Sequence, residues 1–276
     1  MISQEELKRI QQIQMEIMDE IHRLCQKHDL TYYLIAGSML GVVRHGGFIP
    51  WDVDIDIGMP RKDYQLFKEV CARELHENFT YLDYTVVKDY SRPHALISRK
   101  NTRLEMKYDH QNNTADNFGI YLDIFPLDNA PNDPDAQKKQ ADRLWRLRRF
   151  KEHRRPYSYA RSRFKHAAHM TFSFLTSWIP MELINEHQQK LMRQYEDQKT
   201  DYLCSMASGY PYKKQCMPRE IYGTPTLYQF EDRQYYGPEK SLEYLTRLYG
   251  DYMKLPPEEK RLANLEIYQS VTFADE

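Results

Sequence analysis

The sequence predicts a mixed α+β fold of the broad α/β class, with a twisted sheet core, flanking helices and a mostly helical C-terminal lobe. Residues 31–130 alternate short strand-like runs with helical patterns, as in a sheet with helices packed against it. Residues 131–276 contain longer helical patterns and fewer strand-like runs. We therefore expect a core at 1–130 and a helical lobe at 131–276, packed together as one continuous domain.

The first predicted element is a helix at 4–27. Ser3 and Glu6 have the spacing of a capping box, in which each side chain accepts a backbone N–H of the other residue. Apolar residues then recur at steps of three and four, which predicts one apolar stripe. The stripe consists of Ile10, Ile13, Ile17, Ile21 and Leu24. We expect it to pack on the core rather than to bind a partner protein.

Strands and helices of the core follow at short intervals. The apolar run at 32–36 predicts a strand, and Gly37 and Ser38 connect it to a helical run that begins at Met39. A second helix is predicted at 61–75. The remaining strand-like runs of the core lie at 84–87, 94–98, 102–107 and 119–125, with a polar loop at 111–116.

The C-terminal lobe begins with a helix-start signal at 132–134, and the helical pattern continues to about residue 150. Later patterns predict a strand at 227–231, a turn at 235–238 and a helix at 241–248. Asp251 follows this last helix, and we expect it to lie in the turn that ends it.

Three aspartates alternate with apolar residues at 51–57. If this run is a strand, Asp52, Asp54 and Asp56 share one face. Three carboxylates at this spacing repel one another unless a cation neutralises them. Mg²⁺ binds carboxylate oxygens and keeps positions for phosphate, so we expect Mg²⁺, with Mn²⁺ as the alternative ion. A solvent-facing edge strand, which charge protects from aggregation, is the alternative reading.

Candidate phosphate-binding residues surround this run. Gly37 and Ser38 precede a helix, whose N-terminus offers free N–H groups and a partial positive charge to an anion. Arg44 follows about two turns later, and Arg99 lies beside Lys100 in a basic cluster. Arginine binds phosphate through a bidentate fork and stays protonated, so Arg44 and Arg99 are candidate diphosphate clamps. The alternative for each is a solvated surface charge.

Three blocks of sequence lie in order along most of the chain. They read GSMLGVVRHGGFIPWDVDID at 37–56, GIYLDIFPLD at 119–128 and LYGDYMKLPP at 248–257. Together they resemble the LicD family, a branch of the nucleotidyltransferase superfamily; Val53 stands where relatives often carry another Asp. The resemblance implies a nucleotidyltransferase-like core that transfers a phospho-alcohol, typically phosphocholine from CDP-choline, to a cell-surface glycan such as teichoic acid or a lipopolysaccharide sugar.

Two further aspartates belong to the second block. Asp123 lies within an apolar strand-like run, where a carboxylate is costly to bury without a partner. It is either a further metal-side carboxylate or a hydrogen-bonded structural residue. Asp128 follows Pro126 and is expected in a turn. We expect Asp54 and Asp56 to hold the metal, Asp52 or Asp123 to assist, and an aspartate to accept the proton of the acceptor hydroxyl.

Aromatic residues offer a site for choline, because aromatic faces attract quaternary ammonium groups. Trp51 lies beside the aspartate run and is one candidate, although it can equally serve packing. Nine tyrosines of the C-terminal part are others: Tyr210, Tyr212, Tyr222, Tyr228, Tyr235, Tyr236, Tyr244, Tyr249 and Tyr252. Most of them are expected to be ordinary core or surface residues.

Charge is distributed unevenly. Residues 143–165 contain ten Lys or Arg and one acid, a formal charge of +9 in a chain whose net charge is −1. The aromatic, apolar run at 170–181 follows and is too short to span a bilayer. Either 143–181 contacts an anionic membrane or a lipid-linked acceptor, or 170–181 is a helix buried on the core beside a solvated basic face.

Composition restricts the class of protein. No basic, apolar leader and no membrane-length apolar run is present, and the four cysteines lack metal-site spacing. We expect a cytoplasmic enzyme, acting at the inner face of the membrane if 143–181 contacts lipid, with no nucleic-acid partner. The alternatives are a true nucleotidyltransferase acting on a sugar or sugar phosphate, an inactive glycan-binding module, and the same reaction with ribitol or glycerol as the alcohol.

Overall fold

The computed structural model describes residues 2–106, 118–154, 163–259, 261 and 266–274. In these ranges a mixed sheet is packed with helices, which confirms the predicted fold class. The helices are α1 (Gln4–Lys27), α2 (Ala36–His45), α3 (Arg61–Glu74), α4 (Pro134–Arg154), α5 (Arg163–Thr176), α6 (Met181–Met192), α7 (Tyr212–Gln215), α8 (Arg219–Tyr222) and α9 (Ser241–Tyr249). The strands are β1 (Tyr33–Leu34), β2 (Asp56–Pro60), β3 (Phe79–Leu82), β4 (Ala95–Arg99), β5 (Arg103–Met106), β6 (Tyr121–Ala130), β7 (Tyr202–Cys204), β8 (Cys216–Pro218), β9 (Thr226–Phe230), β10 (Arg233–Gly237) and β11 (Tyr268–Thr272).

The main sheet has the strand order β1-β2-β6-β4-β3. β2 and β6 run parallel, and the other three neighbouring pairs of this order are antiparallel. The far end of β6 pairs with β7, which pairs with β8. Residues beyond 130 therefore extend the sheet that residues 1–130 begin. Two small antiparallel pairs, β9 with β10 and β5 with β11, complete the strands.

Helices α1 and α3 cover one face of this sheet. Ile17 and Ile21 of α1 share a buried core cluster with Phe67 of α3 and with Ile57 and Ile124 of the central strands. Burying one such side chain contributes roughly 1.5–3 kcal/mol, so this layer is a major source of stability. The predicted capping box starts α1: the Ser3 hydroxyl accepts the N–H of Glu6, whose carboxylate accepts the N–H of Ser3.

Several predicted elements differ from the observed ones. Residues 84–87 form a turn, because Asp83 accepts hydrogen bonds from the N–H groups of Thr85, Val86 and Val87. These local bonds prevail over the strand preference of Thr and Val, and β3 comes earlier. The predicted turn at 235–238 lies mostly in β10, which pairs along its whole length with β9. The predicted loop at 111–116 lies outside the described residues.

The aspartate run is a strand only from Asp56 onward. Before that point, side chains of α1 take the place of a strand neighbour: Gln11 donates to the carbonyl of Asp52, and Gln14 accepts the N–H of Ile55. The alternation of faces nevertheless persists. Val53 and Ile55 are buried, whereas the three aspartates remain partly exposed.

Asp128 does not lie in a turn, because β6 continues through Pro126 to Ala130. Its carboxylate is buried and receives two hydrogen bonds from Arg61, at 2.6 and 2.7 Å. Each of these buried charges has the other as its partner, as burial of a charge requires. The pair ties the start of α3 to the middle of the sheet.

The C-terminal lobe contains helices α4–α9 but also five strands, β7–β11. Its run at 170–181 is not buried on the core: the side chains of Phe174 and Trp178 are 77% and 78% exposed. Among the described residues, no helix is long and apolar enough to cross a membrane. The four cysteines are buried free thiols.

Candidate functional site

Three carboxylates meet where two parallel strands lie side by side. Asp56 of β2 is the register partner of Asp123 of β6, and Asp54 lies two residues before Asp56. One oxygen from each of the three lies within 4.8 Å of the other two. Three convergent carboxylate oxygens are the donor set that hard divalent cations prefer, so the residues present fit Mg²⁺ or Mn²⁺.

Like charge and burial make this cluster costly without a cation. Burial, followed by repulsion from Asp52 and Asp56, raises the pKa of Asp54 well above its usual range. Burial, followed by repulsion from Asp123, raises the pKa of Asp56 in the same way. A bound cation would replace protons here and remove the repulsion.

Asp123 differs from its neighbours because two basic side chains contact it. His94 Nε2 lies 2.7 Å and Arg92 Nη1 lies 3.3 Å from Asp123 Oδ1. Burial alone would raise the pKa of Asp123, but these two partners outweigh it, and the pKa is lowered. Arg92 also donates to the Tyr121 hydroxyl at 2.7 Å, which fixes its position. The cluster is therefore asymmetric: one carboxylate stays ionised, and the other two retain protons more readily.

Asp52 precedes Asp54 by two residues and contributes to its raised pKa, but it does not belong to the group of three. Burial raises the pKa of Asp52 itself. A Cβ atom added to Gly37 would come within 3.2 Å of Asp52 Oδ2, so the absence of a side chain at Gly37 lets this carboxylate approach the first turn of α2. The metal-binding role of Asp52 stays a prediction.

Helix α2 begins at Ala36, so Gly37 and Ser38 lie in its first turn rather than before it. First-turn N–H groups have no partner within the helix, and this end faces the Asp52 side of the cluster. The Ser38 hydroxyl accepts the N–H of Asp56 at 2.7 Å, which fastens α2 to β2. Ser38 thus has a structural contact that the sequence did not predict; phosphate binding by this turn stays a prediction.

The two predicted arginines contact different parts of the structure. Arg44 donates to the carbonyl of Tyr252 at 3.0 Å, and its guanidinium lies 5.9 Å from the Trp51 ring. Leu96 is the register partner of Asp123, so these two side chains lie on the same face of the sheet. Side chains alternate along a strand, so Arg99, three residues after Leu96, lies on the opposite face. Its guanidinium lies over Phe79, at 5.5 Å.

Sequence reasoning missed Arg92 and His94, which flank Pro93 just before β4. No local pattern distinguishes them from other basic residues. Their position depends on the antiparallel pairing of β4 with β6, which brings the start of β4 beside Asp123. The sequence predicted a strand at 94–98 that begins with His94, but it did not show which strand would pair with it. The contact of His94 with Asp123 therefore could not be predicted.

Three of the nine candidate tyrosines lie near the carboxylates. The Tyr210 hydroxyl donates to the Tyr249 oxygen at 3.1 Å. Burial is the main cause that raises the pKa of Tyr210, Tyr244 and Tyr249, and the nearby charge of Asp56 contributes to each of these shifts. Tyr268, which was not predicted, has a pKa raised by burial and then by Asp54. Tyr222 and Tyr235 belong to the hydrophobic core, as Tyr244 also does.

Comparison with known proteins agrees with the resemblance seen in the sequence. Residues 29–182, more than half of the chain, match the family model described as LicD/FKTN/FKRP, nucleotidyltransferase domain. The chain belongs to the LicD family. The matched range contains the carboxylates together with Arg92 and His94.

Three curated relatives of this LicD-family protein are informative. Lipopolysaccharide cholinephosphotransferase LicD of Haemophilus influenzae is 31% identical over 265 residues, covering 92% of this chain and 93% of the relative. Ribitol 5-phosphate transferase FKRP, of mouse and of human, is 53% identical over 34 residues, covering 12% of this chain and 7% of the relative. The similarity confirms the expectation that the protein is a phosphotransferase.

Proposed function

We propose that this LicD-family protein transfers phosphocholine, or a related phospho-alcohol, from a CDP-alcohol donor to a cell-surface glycan and releases CMP. The observation that carries the proposal is the group of three carboxylates within 4.8 Å. It occurs in a chain similar over almost its whole length to a lipopolysaccharide cholinephosphotransferase. Teichoic acid and lipopolysaccharide sugars are the proposed acceptors.

The proposed reaction exchanges one P–O bond for another. A hydroxyl oxygen of the acceptor forms a bond to the donor phosphorus that carries choline. The bond from this phosphorus to the bridging oxygen breaks, and the bridging oxygen leaves with CMP. The hydroxyl proton passes to a carboxylate of the cluster, for which the ionised Asp123 is our candidate.

Asp54, Asp56 and Asp123 would hold the cation, with Asp52 assisting. When bound, Mg²⁺ or Mn²⁺ supplies charge neutralisation of the diphosphate. The protein itself contributes positioning. Arg92 and His94 hold Asp123 in place, and the Ser38 hydroxyl holds the start of β2.

The donor is proposed to lie on the Asp52 side of the cluster. Here the first turn of α2, at Gly37 and Ser38, offers N–H groups to a phosphate. Arg44 and Trp51 lie beside each other further along. A choline group would find aromatic faces at Tyr210 and Tyr249, which are in contact with each other.

We also propose that residues 143–181 contact an anionic membrane at its cytoplasmic face, where a lipid-linked acceptor would be met. Exposed apolar side chains of α5 and of the turn after it support this, because Phe174, Leu175 and Trp178 are all largely exposed. The neighbouring basic stretch supplies charge complementary to anionic lipid.

A second candidate is transfer of ribitol phosphate from CDP-ribitol, which the short match to FKRP favours. Thermal melting against a donor panel distinguishes the two. The panel contains CDP-choline, CDP-ribitol, CDP-glycerol, a UDP-sugar and CTP, each with and without Mg²⁺. We expect Mg²⁺-dependent stabilisation by a CDP-alcohol, since a ligand at about 100 times its Kd adds about 2.7 kcal/mol. Stabilisation by CTP or the UDP-sugar alone would contradict the proposal and support a nucleotidyltransferase.

A further inference from the structure

A cavity of about 790 Å³ opens beside the carboxylate cluster. Three segments supply most of its lining: the residues before β4 at 91–94, the side of α4 that spans 141–152, and the segment at 205–212. Phe125 and Gln188 complete it. Its volume is in the range of small-molecule binding sites. The functional site described above accounts for only a small part of its wall.

The cavity reaches the cluster through two residues. Arg92 and His94 line it, and both contact Asp123 Oδ1. Phe125, which stacks against His94 with ring centroids 4.2 Å apart, lines it as well. Gly37 and Ser38 are not among its lining residues. The cavity therefore approaches the cluster at Asp123, whereas the first turn of α2, the proposed phosphate-binding site of the donor, adjoins Asp52. Tyr210, one of the two residues proposed to contact the choline group, also lines the cavity, so the two substrates would meet at this residue.

The outer wall of the cavity combines positive charge with an aromatic surface. Arg148 and Arg149 of α4 both bridge to Glu152, at 3.3 and 3.1 Å, so two guanidinium groups share one carboxylate. Both arginines keep about half of their side chain exposed. Trp145, one helical turn before them, presents its ring at the same wall. A guanidinium pair suits a phosphate, and an indole ring suits the apolar face of a sugar.

We propose that this cavity is the acceptor site and that it takes a phosphate-bearing sugar. The phosphate would lie at Arg148 and Arg149, the sugar against Trp145, and the reacting hydroxyl toward Asp123. The inference rests on the proposed function, because it assigns the acceptor of that reaction, and it adds the requirement that this acceptor carries an anionic group.

Calorimetric titration of the full chain with hexose 6-phosphates, N-acetylglucosamine 6-phosphate included, and with the same sugars lacking phosphate tests the assignment. We expect the phosphorylated sugars to bind more tightly than the neutral ones. The double variant Arg148→Gln/Arg149→Gln should weaken their binding at least about tenfold, the size of a lost charge-assisted hydrogen bond. The matched control is Arg143→Gln/Arg146→Gln, which removes the same charge from exposed positions of α4 outside the cavity wall. It should leave the affinity within about twofold.

Three results would overturn the assignment. They are no binding of any sugar phosphate, an equal loss of sugar-phosphate affinity in the double variant and in its control, and displacement of the sugar phosphate by CDP-choline with Mg²⁺. The last would mean that the donor occupies this cavity. Trp145→Ala supplies an independent variant and should weaken phosphorylated and neutral sugars alike. Failure of the proposed function is distinguishable, because the donor panel would then fail while sugar-phosphate binding persists.

Discussion

Asp54 and Asp56 lie beside other carboxylates, and this arrangement is unfavourable for their ionised forms. Both have a pKa raised above the usual value for Asp, through burial and neighbouring carboxylates. The folded chain then keeps protons that the unfolded chain loses, so this site destabilises the folded state increasingly as pH rises above about 4. The effect continues until the pH passes the raised pKa values.

We predict that, when a chelator removes divalent cations, Asp54→Asn is more stable than the wild type at neutral pH. The stability of the variant should also depend less steeply on pH. Each unit of raised pKa corresponds to about 1.4 kcal/mol. Urea unfolding at a series of pH values measures it, with and without Mg²⁺. Mg²⁺ should stabilise the wild type and leave Asp54→Asn unchanged; equal Mg²⁺ stabilisation of both proteins would refute this assignment.

Arg92 and Arg99 offer a second test at single residues. Arg92→Gln should lower kcat roughly 10- to 100-fold, because Asp123 loses a charged partner worth about 1.5–3 kcal/mol. Arg99→Gln should lower it less, since Arg99 lies on the opposite face of β4 over Phe79. Steady-state kinetics of both variants distinguishes the two roles, and a larger loss of kcat for Arg99→Gln would support Arg99 as the diphosphate clamp.

Alternation along the chain was sufficient to predict which residues of 51–57 face the site, because burial of Val53 and Ile55 follows directly from a period of two. It could not reveal that Asp123 lies opposite Asp56, or that Arg92 and His94 reach Asp123. Those contacts depend on strand order and register, which are set between residues far apart in sequence. Asp123 was a candidate because a carboxylate within an apolar run needs a partner, an argument that left a structural role equally open.

At the scale of elements, α1 does more than cover the sheet. Gln14 is buried in α1, donates to the carbonyl of Tyr121 and accepts the N–H of Ile55, so it joins β6 to the segment that carries Asp54. The helix was predicted to its ends, because its capping box and apolar stripe are local signals. The tertiary contacts of Gln14 were not predicted, because the sequence does not indicate which groups a polar residue in an apolar stripe will bond.

Gln14→Leu should destabilise the protein by about 1–3 kcal/mol, because two buried backbone groups lose their partner. It should also weaken Mg²⁺ binding, since the segment before Asp56 is no longer held. Gln12→Leu, at an exposed position of the same helix, is the control and should change stability by less than about 0.5 kcal/mol. Denaturant unfolding and Mg²⁺ titration measure both effects; similar behaviour of the two variants would show that the hydrogen bonds of Gln14 are dispensable.

The exposed apolar surface of α5 makes a separate prediction. Phe174→Ser/Trp178→Ser should lose binding to anionic vesicles at low salt, whereas Leu242→Ser, an exposed apolar position on α9, should retain it. Vesicle flotation at two salt concentrations measures this, and high salt should weaken wild-type binding because charge contributes. Absence of wild-type binding at low salt would remove the membrane proposal while leaving the catalytic one intact.

At the scale of the whole molecule, one sheet joins the two parts of the chain, because β7 and β8 extend the sheet through β6. The cluster lies on the same sheet, between the first turn of α2 on the Asp52 side and the large cavity on the Asp123 side. Two approaches to one group of carboxylates suit a reaction between two substrates. The sequence predicted the helical lobe, but not that its α4 would form a wall of this cavity.

Release of CMP from CDP-choline tests the central claim most directly, with the products identified by mass. We predict Mg²⁺-dependent release in the wild type, reduced at least about 100-fold in Asp54→Asn and in Asp56→Asn. Asp251→Asn, which makes the same change at an exposed position after α9, should keep wild-type release. Near-normal release by Asp54→Asn, or a product that retains the nucleotide, would contradict the account.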